Sequence, residues 1–347
     1  MGHEIVERQS VPGASRLECG DIFVVTVTYG GRREMLGKMI ESVLEEGVRN
    51  IVVVDNGATW DVDELSSTFP SARFFLVPMG GNFGSAVGFS TGMKTALSAG
   101  AQMIWLLDDD NRPCVGALSE LCAAFELHLS SGAKHNTAVL ALRPDRQSLL
   151  MSGVASAQVR RSDFLGFHVL DVPGKIWRRL RSWNRRALAY PNFVSVMASP
   201  YSGLLLHREA IEAIGLPRED FVLYMDDTEW SSRLTADGGR IVLVTAARII
   251  DLESSWNIKD RPGSRITGLL CGDGDFRAYY STRNAAFLSA SDPQASARMR
   301  RMNRLVYLLL LRSAALMKGR RVRYALLIAA IEDGENGRLG RHPEYPL

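Results

Sequence analysis

The chain has 347 residues, of which 46% are hydrophobic and 23% charged, and its formal net charge is +3. This composition is ordinary for a globular protein and excludes a largely disordered chain. The near-neutral balance, with no recognised reading motif, also lacks the basic signature of a nucleic-acid-binding protein, so we expect no nucleic-acid partner.

The cellular setting is predicted from cysteines and apolar segments. The four cysteines form no CxxC pair and are expected to be free thiols in a reducing compartment. The first ten residues contain no apolar signal segment, and Leu305–Leu311 is too short to span a bilayer. We therefore expect a cytoplasmic protein, which leaves open a place at the inner face of the membrane.

The first half of the chain alternates between strand and helix patterns. After a flexible lead-in over residues 1–20, apolar β-branched runs predict buried strands, and each is followed by a segment with helical periodicity. The predicted strands lie at Ile22–Val27, residues 51–55, Phe74–Val77 and residues 103–107; the helices lie at Met35–Glu46, Thr91–Ser98 and Leu118–Leu129. The alternation indicates an α/β fold with parallel strands and helices on both faces of the sheet.

Polar residues follow each of these strands. They are Thr28, Asp55, Asn82 and the run Asp108–Asp110. Ligands bind beyond the carboxyl ends of the strands in such sheets, so these residues are expected to converge on one edge.

The second half is less regular. Residues 202–215 predict a strand leading into a helix, and residues 221–244 predict an acidic turn, a helix and another strand. After about residue 275 the chain is predicted to be helical and rich in arginine.

The acidic run Asp108–Asp110 is the strongest single sign of chemistry. Adjacent carboxylates repel one another and raise one another's pKa unless a positive charge lies among them. Asp108 and Asp110 share one side of an extended chain, which suits one Mn²⁺ or Mg²⁺ ion, whereas Asp109 points the other way, to a donor hydroxyl or a backbone amine. The alternative is a solvated acidic turn.

Two weaker signals accompany this run. Asp55 could accept a hydrogen bond from a uracil or thymine ring, or it could simply form an Asp-Asn-Gly turn. The segment GGNFGSAVGF contains glycines that let a ligand approach the backbone before a helix N-terminus, but it matches no phosphate-loop fingerprint.

A second acidic group opens the helix after residue 225. Asp226, Asp227 and Glu229 could supply a general base, or they could only complement the helix dipole. Arg233 lies four residues after Glu229, a spacing that also fits a plain helical ion pair.

In order, the segments TVTYGGR, VVVDNG, GGNFGSAVGF, WLLDDDNRP and YMDDTEWSSR resemble family-two inverting glycosyltransferases of the GT-A fold. The galactofuranosyl- and rhamnosyltransferase branches are the most similar. The resemblance runs from about Ile22 to Trp256, and the later FRAYYSTRNAAFL resembles a Tyr-Tyr-x-x-Arg-Asn stretch of such enzymes.

The resemblance implies a GT-A-type nucleotide-binding sheet flanked by helices, with a helical C-terminal region. The implied domains are a glycosyltransferase domain over 21–260, with a donor half (21–130) and an acceptor half (131–260), and a C-terminal region over 261–347. The implied activity is inverting transfer of a galactofuranose- or rhamnose-type sugar from a UDP- or dTDP-sugar. The acceptor would be a glycan, a lipid-linked molecule or a small molecule.

The resemblance also assigns roles to residues. Thr28, Asp55, Asn82, Gly84, Asp108 and Asp109 would bind the donor, Asp108 and Asp110 would hold Mn²⁺ or Mg²⁺, and Asp227 would be the catalytic base, with Asp226 and Glu229 in the same acidic group. Such enzymes often add a metal-ligating histidine after the strand that follows the acidic helix. Here no histidine occurs there, and Asp251 is the expected substitute, with Asn257 nearby.

Two surfaces leave alternatives open. The basic segment 175–186, with Trp177 and Trp183, could be a solvated helix face or could lie on anionic lipid. The apolar stretch within 303–330 is expected to be core or the contact face of a homo-oligomer. The missing histidine keeps open a catalytically impaired nucleotide-sugar-binding homologue, and a sugar nucleotidylyltransferase is a more distant alternative because its glycine-rich phosphate loop is absent.

Overall fold

The computed structural model describes residues 22–129, 134–145, 147, 162–174, 191–253, 265–292 and 295–347. The lead-in over residues 1–20, the basic segment 175–186 and Asn257 lie outside these ranges.

Nine strands and ten helices occur in the described ranges. The strands are β1 Ile22–Gly30, β2 Asn50–Ala58, β3 Arg73–Pro78, β4 Met103–Leu106, β5 Asn111–Pro113, β6 Thr137–Leu142, β7 Phe193–Val196, β8 Leu204–His207 and β9 Arg240–Asp251. The helices are α1 Arg33–Glu45, α2 Glu64–Thr68, α3 Ser85–Ser98, α4 Ala117–His128, α5 Arg208–Ile214, α6 Asp226–Ala236, α7 Arg265–Cys271, α8 Asp275–Ser291, α9 Ala297–Met317 and α10 Arg321–Glu335.

The strands form one mixed sheet in the order β3-β2-β1-β4-β8-β6-β9-β5, with β7 paired to β9. The first four strands are parallel, as predicted, and Thr28 of β1 pairs in register with Asp55 of β2. The second half differs from the all-parallel expectation, because β8 runs antiparallel to both β4 and β6. Four parallel strands therefore end at one edge, and the residues that follow them share that edge.

Two hydrophobic cores cover the two faces of the sheet. Alternate residues of β1 divide between them: Val24 packs on the face covered by α1 and α4, and Val25 packs on the face covered by α3, α5 and α6. Burial on both faces explains why these strands are continuous apolar runs instead of alternating ones.

The C-terminal helices form a third core with two earlier segments. Tyr279, Tyr307 and Leu327 of α8, α9 and α10 pack together with Phe164 and with Val222, which precedes α6. The helical C-terminal region is therefore attached beside the start of α6. None of the helices within the described ranges is long and apolar enough to cross a membrane.

Candidate active site

The acidic run lies in a tight loop between β4 and β5. The Asn111 N–H donates to the Asp108 carbonyl at 3.0 Å, which closes the loop and starts β5. Because β5 pairs antiparallel with the end of β9, Asn111 lies directly opposite Asp251. Two segments 140 residues apart in sequence are thereby joined at the site.

Asn111 connects the acidic residues through a fully buried amide. Its Nδ2 donates to Asp110 Oδ1 at 3.2 Å and to Asp251 Oδ1 at 3.0 Å. Its Oδ1 accepts from the Asp108 N–H at 3.0 Å and from the Ser202 hydroxyl. A buried amide with all of these partners holds the loop in one arrangement.

Arg143 follows β6 and approaches two of the carboxylates. Its Nη2 donates to Asp251 Oδ2 at 3.2 Å, and its Nη1 lies 4.0 Å from Asp108 Oδ2. The Arg143 side chain is largely buried, and the side chain of Asp108 is 42% exposed. Asp108 is therefore the most open carboxylate of the acidic run.

Arg32 neutralises the other side of the run. Its Nε donates to both oxygens of Asp109 at 2.8 and 2.9 Å, and its Nη2 lies 3.6 Å from Asp110 Oδ2. It also pairs with Glu253 and lies over the ring of Tyr29 at 4.9 Å. The partner of Asp109 is thus a guanidinium, where the sequence analysis expected a donor hydroxyl or a backbone amine.

The charges of this cluster are not balanced. Burial, followed by the neighbouring carboxylates Asp108, Asp109 and Asp251, raises the pKa of Asp110 to about 7. Burial also raises the pKa of Asp109 to about 6, although Arg32 opposes this shift. Buried carboxylates with raised pKa values at strand ends are typical of sites that take up a further cation.

The donor set fits a hard divalent cation, because its available groups are carboxylate oxygens. In the described ranges, however, no three acidic, histidine or cysteine side chains converge as ready-made ligands. Asp109 is bound to Arg32, and both oxygens of Asp251 accept hydrogen bonds. The pair that would hold a metal is Asp108 and Asp110, and Asp251 would have to release Arg143 to join them.

The glycine-rich segment before α3 is fastened to the end of β2. Asn56 Nδ2 donates to Asn82 Oδ1 at 3.1 Å, and Asn56 Oδ1 accepts from the Phe83 N–H at 2.8 Å. Asn82 Oδ1 also accepts from the Gly84 N–H at 3.0 Å. Asn82 and Gly84 therefore lie in a fixed loop at the predicted edge.

Asp55 and Thr28 occupy supporting positions. Asp55 Oδ1 accepts from the N–H groups of Gly57 and Ala58 at 3.1 and 2.7 Å, so the Asp-Asn-Gly turn is present. Thr28 is fully buried, and its hydroxyl lies beside Asp109, where it lowers the pKa of that carboxyl. Whether either residue contacts a nucleobase stays a prediction.

Asp226 and Asp227 start α6 in different surroundings. Asp226 is buried, and its Oδ2 accepts from the hydroxyl of Ser85, the first residue of α3, at 3.0 Å. Burial, together with the neighbouring Asp227, raises the pKa of Asp226 to about 8. The hydrogen bond ties the start of α6 to the start of α3.

Asp227, the next residue of α6, is partly exposed. Burial raises its pKa to about 6, while hydrogen bonds from the N–H and hydroxyl of Thr228, at 2.6 and 3.1 Å, hold the pKa down. Asp108 raises and Arg143 lowers the pKa of Asp227, so its carboxylate interacts electrostatically with these two groups. A carboxylate of this pKa is ionised at neutral pH and can accept a proton.

Glu229 is engaged in a structural ion pair. Arg233 donates to it through Nε and Nη2 at 3.1 and 2.5 Å and also donates to the carbonyls of Ile214 and Leu216. The geometry therefore matches the helical ion pair considered from the spacing. Glu229 stays only a predicted member of the catalytic group.

A strained loop precedes α6. In this base loop, residues 219–225, Val222, Tyr224 and Met225 all have positive φ angles of +63 to +67°. Val222 is the centre of a γ-turn closed by the Leu223 N–H on the Phe221 carbonyl at 2.7 Å, a turn type that is rare and strained. Such a conformation persists only where surrounding contacts hold it.

Gly84 is where the glycine-rich loop, residues 79–84, meets the base loop. Its φ is +91°, and an added Cβ would lie 2.0 Å from the carbonyl oxygen of Val222. The Ala86 N–H donates to that carbonyl at 3.2 Å. Only glycine permits this approach, which explains the predicted importance of Gly84 by a contact between backbones.

The base loop is held from behind by α8. Asn284 Nδ2 donates to the carbonyls of Phe221, Leu223 and Tyr224 at 2.9, 3.0 and 2.8 Å. Arg283 Nη2 donates to the Phe221 carbonyl at 3.0 Å. Both side chains are buried, so the Tyr-Tyr-x-x-Arg-Asn stretch serves as the support for the loop that presents Asp227.

Gly340 and Arg341 contact the base loop and the glycine-rich loop. The Gly340 N–H donates to the Asp220 carbonyl at 2.7 Å, and Arg341 Nη2 donates to the Asn82 carbonyl at 3.0 Å. Arg341 also lies over the Phe83 ring at 5.3 Å. The C-terminal residues thus connect the base loop with the glycine-rich loop.

The structure brings the predicted residues to one edge of the sheet and adds several that the sequence analysis missed. The missed residues are Arg32, Asn56, Asn111, Arg143, Ser202, Arg283 and Asn284. Five of them, Arg32, Asn56, Asn111, Arg283 and Asn284, lie inside the quoted motifs, and this position was the signal by which they could have been found. Arg143 and Ser202 had no motif around them.

No protein-family model matches the chain. In sequence it is similar to the galactofuranosyltransferase GlfT1 of Mycolicibacterium smegmatis, with 31% identity over 222 residues, 62% of this chain and 66% of the relative. The chain thus matches just under two thirds of that relative. The dTDP-rhamnosyl transferase RfbF of Shigella flexneri is 20% identical over 274 residues, which is 77% of this chain and 79% of RfbF.

Among solved structures, the mannosyltransferase PcManGT from Pyrobaculum calidifontis, in complex with GDP-Man and Mn²⁺, superposes with a TM-score of 0.50 at 14% identity. The match covers 90% of this chain and 86% of PcManGT and shows a shared fold. The predicted GT-A-type fold and the predicted resemblance to galactofuranosyl- and rhamnosyltransferases are thereby confirmed.

Proposed function

We propose that the chain is an inverting glycosyltransferase that moves a galactofuranose- or rhamnose-type sugar from a nucleoside-diphosphate donor to an acceptor hydroxyl. One observation carries the proposal. Asp226 and Asp227 start α6, where Asp226 binds the residue that follows the glycine-rich loop, and Asp227 interacts electrostatically with Asp108 of the acidic run after β4. The sequence similarity to transferases of these two sugars supports the donor class.

In the proposed displacement, Asp227 acts as the general base. Asp227 accepts the proton of the acceptor hydroxyl as its oxygen bonds to the anomeric carbon. The bond from that carbon to the diphosphate oxygen breaks on the opposite face, so the anomeric configuration inverts in one displacement. The products are the glycoside and the nucleoside diphosphate, and no second nucleophilic carboxylate is needed.

The acidic run and its two arginines would balance the charges around the diphosphate. Mn²⁺ or Mg²⁺ held by Asp108 and Asp110 would neutralise the leaving diphosphate. Arg32 and Arg143 hold Asp109 and Asp251 in place and keep the surrounding negative charge in check. In this proposal, Asn82 and Gly84 line the diphosphate and ribose, and Asp55 accepts from the nucleobase.

The acceptor and the location are part of the same proposal. A glycan or a lipid-linked acceptor would approach from the side of α6, where Asp227 is open. The enzyme would then work in the cytoplasm, at the inner face of the membrane.

A panel of nucleotide sugars tests the function. UDP-galactofuranose, UDP-galactopyranose, dTDP-rhamnose and GDP-mannose are offered with Mn²⁺ or with a chelator, and thermal shift and slow donor hydrolysis are recorded. We expect a shift and hydrolysis with UDP-galactofuranose or dTDP-rhamnose, and neither with the other two donors or in the presence of a chelator.

A matched pair of variants separates the outcomes. Asp227→Asn should keep the donor-induced thermal shift and lose hydrolysis, whereas Asp237→Asn, an exposed carboxylate at the other end of α6, should keep both. A donor shift without hydrolysis in the unaltered chain would identify a nucleotide-sugar-binding homologue. The absence of any shift would contradict the whole proposal.

A further inference from the structure

Helix α9 buries one face and exposes the opposite one. Asn303, Tyr307, Leu311 and Ala315 follow one another at intervals of four residues and face the third core. With 3.6 residues per turn, Leu305, Leu309 and Leu316 lie on the far side of the same helix. The core therefore does not account for these leucines.

The exposed face carries large apolar side chains from Met302 to Met317. Six large hydrophobic side chains on it are between 41% and 81% exposed: Met302, Leu305, Leu309, Leu310, Leu316 and Met317. Val322, just beyond the helix, is 87% exposed. Monomeric proteins rarely expose a continuous apolar stripe of this kind unless it binds something.

The stripe is surrounded by positive charge. The sequence from Ala297 to Val322 contains eight basic residues and no acidic residue. Arg304 pairs with Glu335, and Arg300 donates to the carbonyls of Ser289 and Ala290. The other six are exposed: Arg298, Arg301, Arg312, Lys318, Arg320 and Arg321.

An apolar stripe flanked by exposed basic residues fits one class of partner better than the others. A second copy of the chain would bring a second set of these arginines against the first, because a twofold interface places the same patch on both sides. A nucleic acid would attract the arginines but would leave the leucines and methionines in water. An anionic bilayer satisfies both, since the apolar stripe enters the acyl boundary while the basic residues meet the head groups.

We propose that the exposed face of α9, with its flanking basic residues, is a docking surface for an anionic lipid bilayer, on which the protein lies without spanning it. The surface lies on the C-terminal helices that support the base loop. Docking there would hold the protein at the membrane, where a lipid-linked acceptor is concentrated. The surface itself does not depend on sugar transfer, so its test is independent of the donor panel.

Vesicle flotation of the full chain tests the surface. The probes are vesicles of phosphatidylcholine alone and of phosphatidylcholine with about 30% phosphatidylserine, at low and at high salt. We expect flotation with the anionic vesicles, weaker flotation at high salt because surface charges are screened, and little with phosphatidylcholine alone.

Two variants remove the two components separately. Leu305→Gln with Leu309→Gln should lower the vesicle partition coefficient at least about tenfold, because two leucines no longer enter the apolar layer. Arg301→Gln with Arg312→Gln should lower it by about fivefold for each arginine.

Matched controls lie elsewhere on the surface. Leu127→Gln on α4, 67% exposed, and Arg240→Gln at the exposed start of β9 should float like the unaltered chain. Melting temperatures of all variants establish that they are folded. Since the altered side chains are exposed, we expect shifts of less than about 2 °C.

Three results would overturn the proposal. One is the absence of flotation by the unaltered chain, or equal flotation with neutral and anionic vesicles. Another is flotation by the α9 variants that equals that of the controls, which would move membrane contact to another segment. The third is a dimer in light scattering that Leu305→Gln with Leu309→Gln converts to a monomer, which would make the stripe a subunit interface.

Discussion

Removing the amide of Asn284 should impair catalysis more than donor binding. Asn284 lies behind the base loop and donates to three of its carbonyls, although it is on another helix and more than fifty residues away in sequence. In Asn284→Ala, those carbonyls lose their common partner, and the strained turn at Val222 loses its support. The loop should relax toward ordinary backbone angles and carry Asp227 with it.

The size of the effect follows from these contacts. An unsatisfied buried acceptor costs about 1–3 kcal/mol, and each non-glycine residue in the left-handed region stores about 1–2 kcal/mol that relaxation releases. The Phe221 carbonyl still accepts from Arg283, so two carbonyls lose their partner, which costs about 2–6 kcal/mol. Relaxation of one residue returns about 1–2 kcal/mol, so the middle of these ranges gives a net loss of about 2.5 kcal/mol in unfolding free energy. A displacement of Asp227 by about 1 Å should lower kcat roughly a hundredfold, with the donor Kd changed by less than about threefold.

Asn303→Ala is the matched control. Asn303 is equally buried in the same third core, and its amide donates to the Ser162 carbonyl and accepts from the Val169 N–H, far from the base loop in the chain. Both variants should lose similar stability in urea denaturation, but only Asn284→Ala should lose kcat when donor Kd is measured alongside by calorimetry. If the two variants retain kcat within about threefold of each other, the positioning argument is wrong.

Other predictions concern single residues of the site. Asp227→Asn should abolish transfer while the donor Kd, measured by calorimetry, stays within about threefold of its original value. Because burial raises the pKa of Asp227 to about 6, its base form is lost as pH falls, so kcat/KM should rise through pH 6 and level off above it; a flat profile from pH 5 to 8 would exclude this base. Asp110→Ala should weaken UDP binding in Mn²⁺ at least about tenfold, and equal UDP binding with a chelator would remove the metal from the proposal. Gly84→Ala should raise the donor KM and lower the melting temperature by more than Gly80→Ala does, because both glycines have positive φ but an added Cβ meets the Val222 carbonyl only at Gly84.

Much of the fold could be predicted because its signals are local. Buried parallel strands are continuous apolar runs, and the helices between them keep a helical period, so β1 to β4 and α1, α3 and α4 were found from the sequence. The antiparallel direction of β8 was not predicted. An apolar run of four residues carries no sign of its direction, which is set by pairing with strands distant in sequence.

The polar contacts of the site were harder to predict, for a similar reason. The partners of Arg143 are Asp108 and Asp251, 35 and 108 residues away, and no spacing rule links such residues. Asn111 meets Asp251 only because β5 pairs with β9 in that register. A residue whose role is to connect distant carboxylates looks in sequence like an ordinary neighbour of the acidic run.

At two positions the structure shows the simple structural contact that the sequence analysis gave as the alternative to a functional role. Asp55 forms the turn that its sequence favours, and Glu229 forms the ion pair with Arg233 that four-residue spacing favours. Neither contact removes the residue from the site, because a carboxylate has further acceptor sites. A position at the end of a strand therefore predicts where a residue lies, whereas the function of a carboxylate depends on which of its oxygens can still bind a ligand.

The charge of the site explains how it can lack the expected histidine. A neutral imidazole ligand would add no charge, whereas the guanidinium of Arg143 adds one positive charge beside Asp251, and Arg32 adds another beside Asp109. Two guanidinium groups against the carboxylates of Asp108–Asp110 and Asp251 still leave a deficit, which the raised pKa of Asp110 reflects. A divalent cation would close that deficit, and it would bring a diphosphate to the two arginines already in place. The histidine is therefore dispensable for charge balance, and donor binding should depend on the metal, because without the metal the diphosphate would meet carboxylates whose charge is not balanced.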